Sequence, residues 1–396
     1  MRFRLQPTLA QEVALLEHCA HARYVWNLAV EQHLHWRPGR VSAPGYAEQS
    51  RQLTEARREF AWLAAGSQTV QQQALRDFAQ AMANFFSGTH RRPRWRKAGV
   101  HEGFRIVGRR GSHWDVRRLS RKVGEVWVPK VGWVRFRWSR RIPETVKSFR
   151  ANRDRAGRWH VCFAVIPPAI DGPGTGAVVG VDRGVAVSAA LSTGELFSVR
   201  GLRDSETERL GRLQRRLARA TPGSNRRKRV KTAIARLKAR ETDRRKDWVE
   251  KTSTDLARRF DLIRLEDLRV GAMVRSARGT IAAPGVNVRA KAGLNRSIHA
   301  AGWGHLARRL EQKAARRVEK INPVFTSQTC HACGHRAADN RESQTVFRCR
   351  ACGHTDHADV NAAKNIAAGR AVTARGAFQP LGGALNREPQ PVLSSV

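Results

Sequence analysis

Four cysteines late in the chain, Cys330, Cys333, Cys349 and Cys352, stand as two Cys-x-x-Cys pairs with fifteen residues between them. Two thiol pairs at this separation match a four-thiolate zinc ribbon, each pair on a tight turn with a short hairpin in the intervening segment. Disulfides or plain buried thiols are the alternatives. Met1-Arg2-Phe3-Arg4-Leu5 runs into polar sequence without the apolar core of a secretory leader. That predicts a reducing cytoplasm, where thiolates hold metal rather than pair. Gly334 and Gly353 follow the second cysteine of each pair, where a metal knuckle calls for positive φ. Four thiolates leave no open coordination position, so the expected zinc is structural. After six intervening residues Cys352 is followed by Asp359-Val360-Asn361-Ala362-Ala363, a carboxylate close in sequence to the metal module.

The 396 residues carry 74 Lys and Arg against 33 Asp and Glu, a formal charge of +41. Solvated basic faces alone do not account for this, because self-repulsion at such a charge disfavours the compact state unless a polyanion binds. No apolar run approaches the ~20 residues of a membrane span. The basic residues are spread through several segments, which points to nucleic acid rather than a membrane surface. Arginine suits bidentate phosphate contacts, although a GC-rich genome would enrich it too. The 41% hydrophobic content is enough for real cores.

Residues 1–6 read as a strand ahead of three helical tracts: 8–36, with an apolar stripe of Leu9, Val13, Leu16, Ala20, Tyr24, Leu28 and Val30; 47–64; and 68–86. Pro38, Gly39, Pro44 and Gly45 separate the first two. From 91 to 168 aromatic and β-branched residues alternate with arginine and lysine, most clearly over 126–138, which predicts a small β-barrel with one basic face. Such interleaving suits base stacking and phosphate contact, while tryptophan in barrel core is the competing reading. Strands are expected at 177–181, ending on Asp182, at 186–191 and at 196–199, an opening like that of RNase H. A basic helical hairpin over 205–259, a strand ending at Glu266, a glycine-rich loop over 279–293, a helix over 298–317, a strand over 318–325 and a helix from Asp359 to 368 complete the reading. Cys19 and Cys162 read as buried thiols.

Asp182, Glu266 and Asp359 each close an apolar strand or open a helix beside the sheet, positions that converge on one sheet edge. Three carboxylates meeting there repel one another unless divalent cations neutralise them. Two Mg2+ ions on such a trio suit phosphodiester hydrolysis. Taken singly, Asp182 reads equally as a turn cap, Glu266 as an arginine partner and Asp359 as a helix N-cap. Asp267 and Asp356 compete for the second and third places.

With Gly180-Val181-Asp182-Arg183-Gly184, Leu265-Glu266-Asp267-Leu268, Thr326-Ser327-Gln328-Thr329-Cys330 with its three further cysteines, and Asp359-Val360-Asn361-Ala362-Ala363-Lys364-Asn365-Ile366, the chain resembles the TnpB family over nearly its whole length. These are transposon-encoded RNA-guided nucleases related to compact type V CRISPR effectors. The resemblance implies an α+β multidomain fold: a wedge β-barrel (1–7 and 90–172) interrupted by a helical recognition domain (8–89), then an RNase H-like RuvC domain (173–321 and 354–372) with an inserted zinc ribbon for target nucleic acid (322–353), and a disordered tail (373–396). It places Asp182, Glu266 and Asp359 as catalytic Mg2+ ligands and Cys330, Cys333, Cys349 and Cys352 as zinc ligands. It implies cytoplasmic, guide-RNA-directed DNA cleavage, with double-stranded target DNA and an RNA-DNA heteroduplex as partners beside a short protein-read motif. The region of 24–49 and 91–96 is the first place to seek that reader. A nuclease-inactive guided repressor and a transposase acting on element ends are the alternatives.

Overall fold

The computed structural model describes residues 1–35, 43–108 and 110–369. Pro38, Gly39 and the tail predicted from 373 lie outside them. The chain forms two compact units, one of Met1–Ile166 with Arg212–Arg236, the other of Pro167–Gly211 with the chain from Leu237 onward.

The first unit runs β1 (Arg2–Arg4), α1 (Leu9–Leu34), α2 (Tyr46–Glu59), α3 (Ala61–Ala65), α4 (Gln68–Phe86), β2 (Gly103–Val107), β3 (Asp115–Arg118), β4 (Val123–Val128), β5 (Gly132–Arg137), β6 (Ser148–Arg153) and β7 (Trp159–Phe163). Its strands make two antiparallel sheets, β1-β7-β6-β2 and β3-β4-β5. Leu5 bridges to Phe136, and the Gln6 N–H donates to the Arg135 carbonyl at 2.7 Å, stitching one sheet to the other. The shared core is aromatic: Phe3, Trp114, Phe136, Phe149 and Phe163 are buried, with Phe3 and Phe136 edge to face at 5.3 Å. The 126–138 stretch folds as the β4-β5 hairpin, turned by Lys130 at φ 64° and Gly132 at φ 86°, the latter a conformation glycine adopts without a Cβ penalty. Trp127 in this hairpin stays exposed, whereas Trp114 and Trp159, outside it, are core.

Helix α1 departs from expectation in its orientation. Thr8 and Gln11 form a reciprocal capping box at its start. The predicted stripe faces outward for the most part: Leu9 is 85% exposed and Val13 68%, and Tyr24 and Leu28 are nearly half exposed. The buried face is instead Leu15, Cys19, Ala22, Val25, Trp26 and Ala29, in one core cluster with Val70, Ala74, Leu75 and Phe78 of α4. The helix carries two apolar faces, and α4 packs against the face of Leu15, Cys19, Ala22, Val25, Trp26 and Ala29.

The second unit is built on β8 (Val178–Asp182), β9 (Ala189–Leu191), β10 (Leu196–Phe197), β11 (Leu262–Glu266) and β12 (Val318–Ile321). The basic helices α5 (Asp204–Ala218) and α6 (Asn225–Arg259) come between β10 and β11 in sequence. After β11 come α7 (Val270–Met273), α8 (Val288–Ala301) and α9 (Trp303–Lys313); after β12 come β13 (Val346–Arg348), β14 (Thr355–His357) and α10 (Ala358–Ala367). The sheet order is β10-β9-β8-β11-β12, with β8, β11 and β12 parallel and β9 antiparallel to its neighbours. Val179, Val181, Ile263 and Leu265 pack against Leu256 of α6 and against Leu306 and Leu310 of α9. The helix expected over 298–317 begins earlier, inside the supposed loop, and breaks at Gly302 (φ 74°), which ends α8 and opens α9. The strand expected to reach 325 stops at Ile321, because Pro323 has no N–H for the ladder and Phe325 sits at φ 63°.

Candidate active site and metal centres

Parallel pairing of β8 with β11 places Val181 opposite Leu265, so the next residues, Asp182 and Glu266, leave the sheet side by side. Helix α10 packs across β8, and the contact demands Gly180: a Cβ there would overlap the Ala363 carbonyl and the Ala367 backbone nitrogen. That close approach brings Asp359 to the same edge. The three predicted carboxylates therefore meet. Burial, with the charges of Glu266 and Asp359, pushes Asp182 well above the usual carboxylate range. Burial also raises Glu266, against the opposing pull of the Arg183 guanidinium.

Each single-residue alternative finds an answer here. Asp359 is not an N-cap, because the cap is His357, whose Nδ1 accepts the Asp359 N–H at 3.2 Å. Its carboxylate instead accepts a hydrogen bond from Arg341 Nη2 at 2.9 Å. Glu266 lies near an arginine, but Arg183 donates to its backbone carbonyl, and its Oε1 faces the Thr326 hydroxyl at 3.5 Å. Glu266, the last residue of β11, is buried, whereas Asp267, one residue past the strand, is exposed. Asp356 is occupied by Lys364 at 2.7 Å. An all-oxygen donor set with an excess of negative charge suits a hard divalent cation such as Mg2+.

A carboxyl raised in the folded state contributes stability that is present below its unfolded value of ~4 and is lost as pH rises through the folded value. In EDTA, the fall in melting temperature as pH rises above ~4 should therefore be steeper for the wild type than for Asp182→Asn, and Mg2+ should remove the difference. Identical pH profiles for the two proteins in EDTA would contradict this account of Asp182.

The cysteine quartet sits beside the carboxylates in sequence and in space. Cys330 and Cys352 sulfurs are 3.8 Å apart, Cys333 and Cys349 sulfurs 3.5 Å, and all four lie within 4.8 Å of one another. A tetrahedron with Zn–S of ~2.3 Å has edges of ~3.8 Å, whereas a disulfide would need ~2.05 Å. Gly334 (φ 79°) and Gly353 (φ 72°) donate back to the Cys330 and Cys349 carbonyls, the two knuckle turns expected. The paired strands β13 and β14 flank the second cysteine pair rather than lying wholly between the pairs. The quartet can hold zinc.

Two asparagines that the sequence reading passed over tie this module to α10. Asn361 Nδ2 donates to the Thr329 carbonyl at 2.8 Å while its Oδ1 accepts the His331 N–H at 3.0 Å; Asn365 Nδ2 donates to the Thr326 and Thr329 carbonyls at 2.9 and 2.7 Å. Spaced four apart, both lie on one face of a buried, alanine-rich helix, and a polar pair in such a setting was the available signal. Arg341 carried no comparable signal, being one arginine among many.

A family model described as "Probable transposase" (IS605 OrfB) matches residues 160–277, a helix-turn-helix model 1–38 and a Cas12f1-like TNB model 303–366. Over 403 aligned residues the chain is 35% identical to "Putative RNA-guided DNA endonuclease InsQ" of Escherichia coli (strain K12), covering 100% of this chain and 98% of that protein. The chain belongs to the TnpB (IS605 OrfB) family. A second member, "Putative RNA-guided DNA endonuclease" of Streptomyces pristinaespiralis, is 32% identical over 95% of this chain and 90% of its own. Among solved structures, a Cas12f1-sgRNA-target DNA complex is matched at TM-score 0.46 and 15% identity, over 90% of this chain and 83% of that one. The segment matched by the helix-turn-helix model folds, over residues 1–35, as β1 and the single long helix α1. Among the described residues no helix is long and apolar enough to cross a membrane.

Proposed function

We propose that this TnpB-family protein is an RNA-guided, Mg2+-dependent DNA endonuclease of transposon origin, acting in the cytoplasm. The observation that carries this is the meeting of Asp182, Glu266 and Asp359 at the ends of β8 and β11 and the start of α10, in a chain 35% identical to a protein named as an RNA-guided DNA endonuclease. The sheet order, with two antiparallel strands followed across the sheet by three parallel ones, supports an RNase H-like nuclease domain over 173–321 and 354–372. The zinc ribbon is read as 322–353, the wedge barrel as 1–7 and 90–172, and the helical recognition domain as 8–89.

Asp182, Glu266 and Asp359 would hold two Mg2+ ions, and the four cysteines a structural zinc. Bound Mg2+ supplies Lewis-acid activation of water and charge neutralisation at the phosphodiester. The chain's own groups do the rest. Arg341 holds the Asp359 carboxylate in place through its 2.9 Å hydrogen bond, and its guanidinium has further N–H donors that suit a phosphate oxygen. Thr326 and Arg183 hold Glu266 from its two sides. In the first unit a cavity of about 440 Å³ lined by Arg76, Gln80, Asn84, Arg105 and Arg150 offers the guanidinium and amide groups that read base edges, which suits the motif adjacent to the target.

The test is to purify the chain with its copurifying RNA, sequence that RNA, and offer duplexes that match or mismatch its guide segment in Mg2+. Cleavage is expected only of the matched duplex, with complex formation weakening steeply as salt rises. Tight guided binding with no cutting by the wild type would establish a repressor instead. Indifference to guide sequence would remove the RNA-guided function.

A further inference from the structure

The outward face of α1 frames a cavity of about 500 Å³ lined by Ala20, His21, Tyr24, Leu28, Trp62 and Trp95. This lies within the ~300–1,000 Å³ range of small-ligand clefts. Tyr24, Leu28, Trp62 and Trp95 are each 42–48% exposed, an apolar group that folding left uncovered while α4 took the other face of the helix. The rings are held rather than loose. Trp62 stacks on His21 at 5.6 Å and 20°, and meets Tyr24 edge to face at 4.9 Å and 87°. Trp95 rides on a segment clamped to α1: Trp26 Nε1 donates to the Arg94 carbonyl at 2.9 Å, and the Asn27 amide exchanges hydrogen bonds with the Arg96 N–H and carbonyl at 2.7 and 3.0 Å. The Arg96 guanidinium covers Trp26 from 3.6 Å, closing the clamp.

The same segment carries exposed Arg91, Arg92 and Arg94 beside Trp95. Fixed aromatic faces next to guanidinium groups are the pairing that takes an unstacked nucleotide, with the base between rings and the phosphate on arginine. A second copy of a chain carrying +41 would be repelled from this surface. From these observations we propose that the Tyr24-Trp62-Trp95 cavity seats a single unstacked nucleobase of the bound nucleic acid. It rests on the nucleic-acid function above and adds a base-stacking site to it.

Ultraviolet crosslinking of the RNA-bound protein at 254 nm, then nuclease digestion and peptide mass spectrometry, tests this directly. A nucleotide adduct is expected on the peptide containing Tyr24, Trp62 or Trp95. A repeat with labelled target DNA present separates the sources: a ribonucleotide adduct assigns the base to the guide RNA, a deoxynucleotide adduct to the target. Trp62→Ala and Trp95→Ala should each weaken the complex on the order of tenfold, while Trp62→Phe and Trp95→Phe retain it, which separates stacking from misfolding. Adducts confined to other peptides, with guided cleavage intact and affinity unchanged in both alanine variants, would overturn the base seat and leave the nuclease standing. A dimer that these substitutions dissolve would also overturn it, giving the cavity to a second copy. Failure of the wild type to bind any RNA would sink both.

Discussion

Cys330→Ser is expected to abolish DNA cleavage without removing any group that touches the reacting phosphate. A structural zinc contributes ~10–16 kcal/mol to the folding of isolated finger peptides, far more than the small core formed by Cys330, Phe347, Cys349 and Ala358 supplies without it. When the knuckle loosens, the Thr326 and Thr329 carbonyls that hold Asn361 and Asn365 are released. Helix α10 then loses its outer anchor, and Arg341, which belongs to the same module, leaves Asp359. Misplacement by about 1 Å can cost ~100-fold in rate, and here a carboxylate and its arginine move together. Metal analysis should fall from one zinc per chain to none, with cleavage at least ~100-fold slower. RNA binding should suffer less, since the first unit has a hydrophobic core of its own. Full cleavage by a zinc-free variant would show that the ribbon does not brace the carboxylate edge.

Much of the carboxylate edge was legible because its logic is local. An apolar run that ends in an acid predicts both a strand and a side chain at its end, and parallel pairing of β8 with β11 then brings two such ends together without further information. The cysteine spacing was legible for the same reason. What escaped notice depends on which surfaces meet. The two faces of α1 differ little in apolar content, and only the partner α4 decides that Leu15, Cys19 and Trp26 go inward while Tyr24 and Leu28 stay out. Gly302 breaks the α8–α9 run at a glycine no more conspicuous than its neighbours in sequence. Arg341 reaches Asp359 from eighteen residues away through the folded ribbon, a contact that no periodicity encodes.

Asp182→Ala should eliminate cleavage while leaving guided binding in place. The Asp182 carboxyl is raised by burial and by the charges of Glu266 and Asp359, the effect a bound cation would oppose. Its removal takes a ligand from the site and leaves Glu266 and Asp359 with Arg183 and Arg341 as nearby cations. Metal activation of this kind is worth several kcal/mol, so a rate loss on the order of 10³-fold or more is expected. The substitution removes a negative charge from the proposed active site, so affinity for matched duplex should stay the same or rise slightly. The decisive measurement follows binding and cleavage of one guide-matched duplex by wild-type and Asp182→Ala complexes, side by side in Mg2+. Equal binding with cleavage by the wild type alone is the predicted result. Cleavage persisting in Asp182→Ala at a rate near that of the wild type would contradict the placement of the active site at the ends of β8 and β11 and the start of α10.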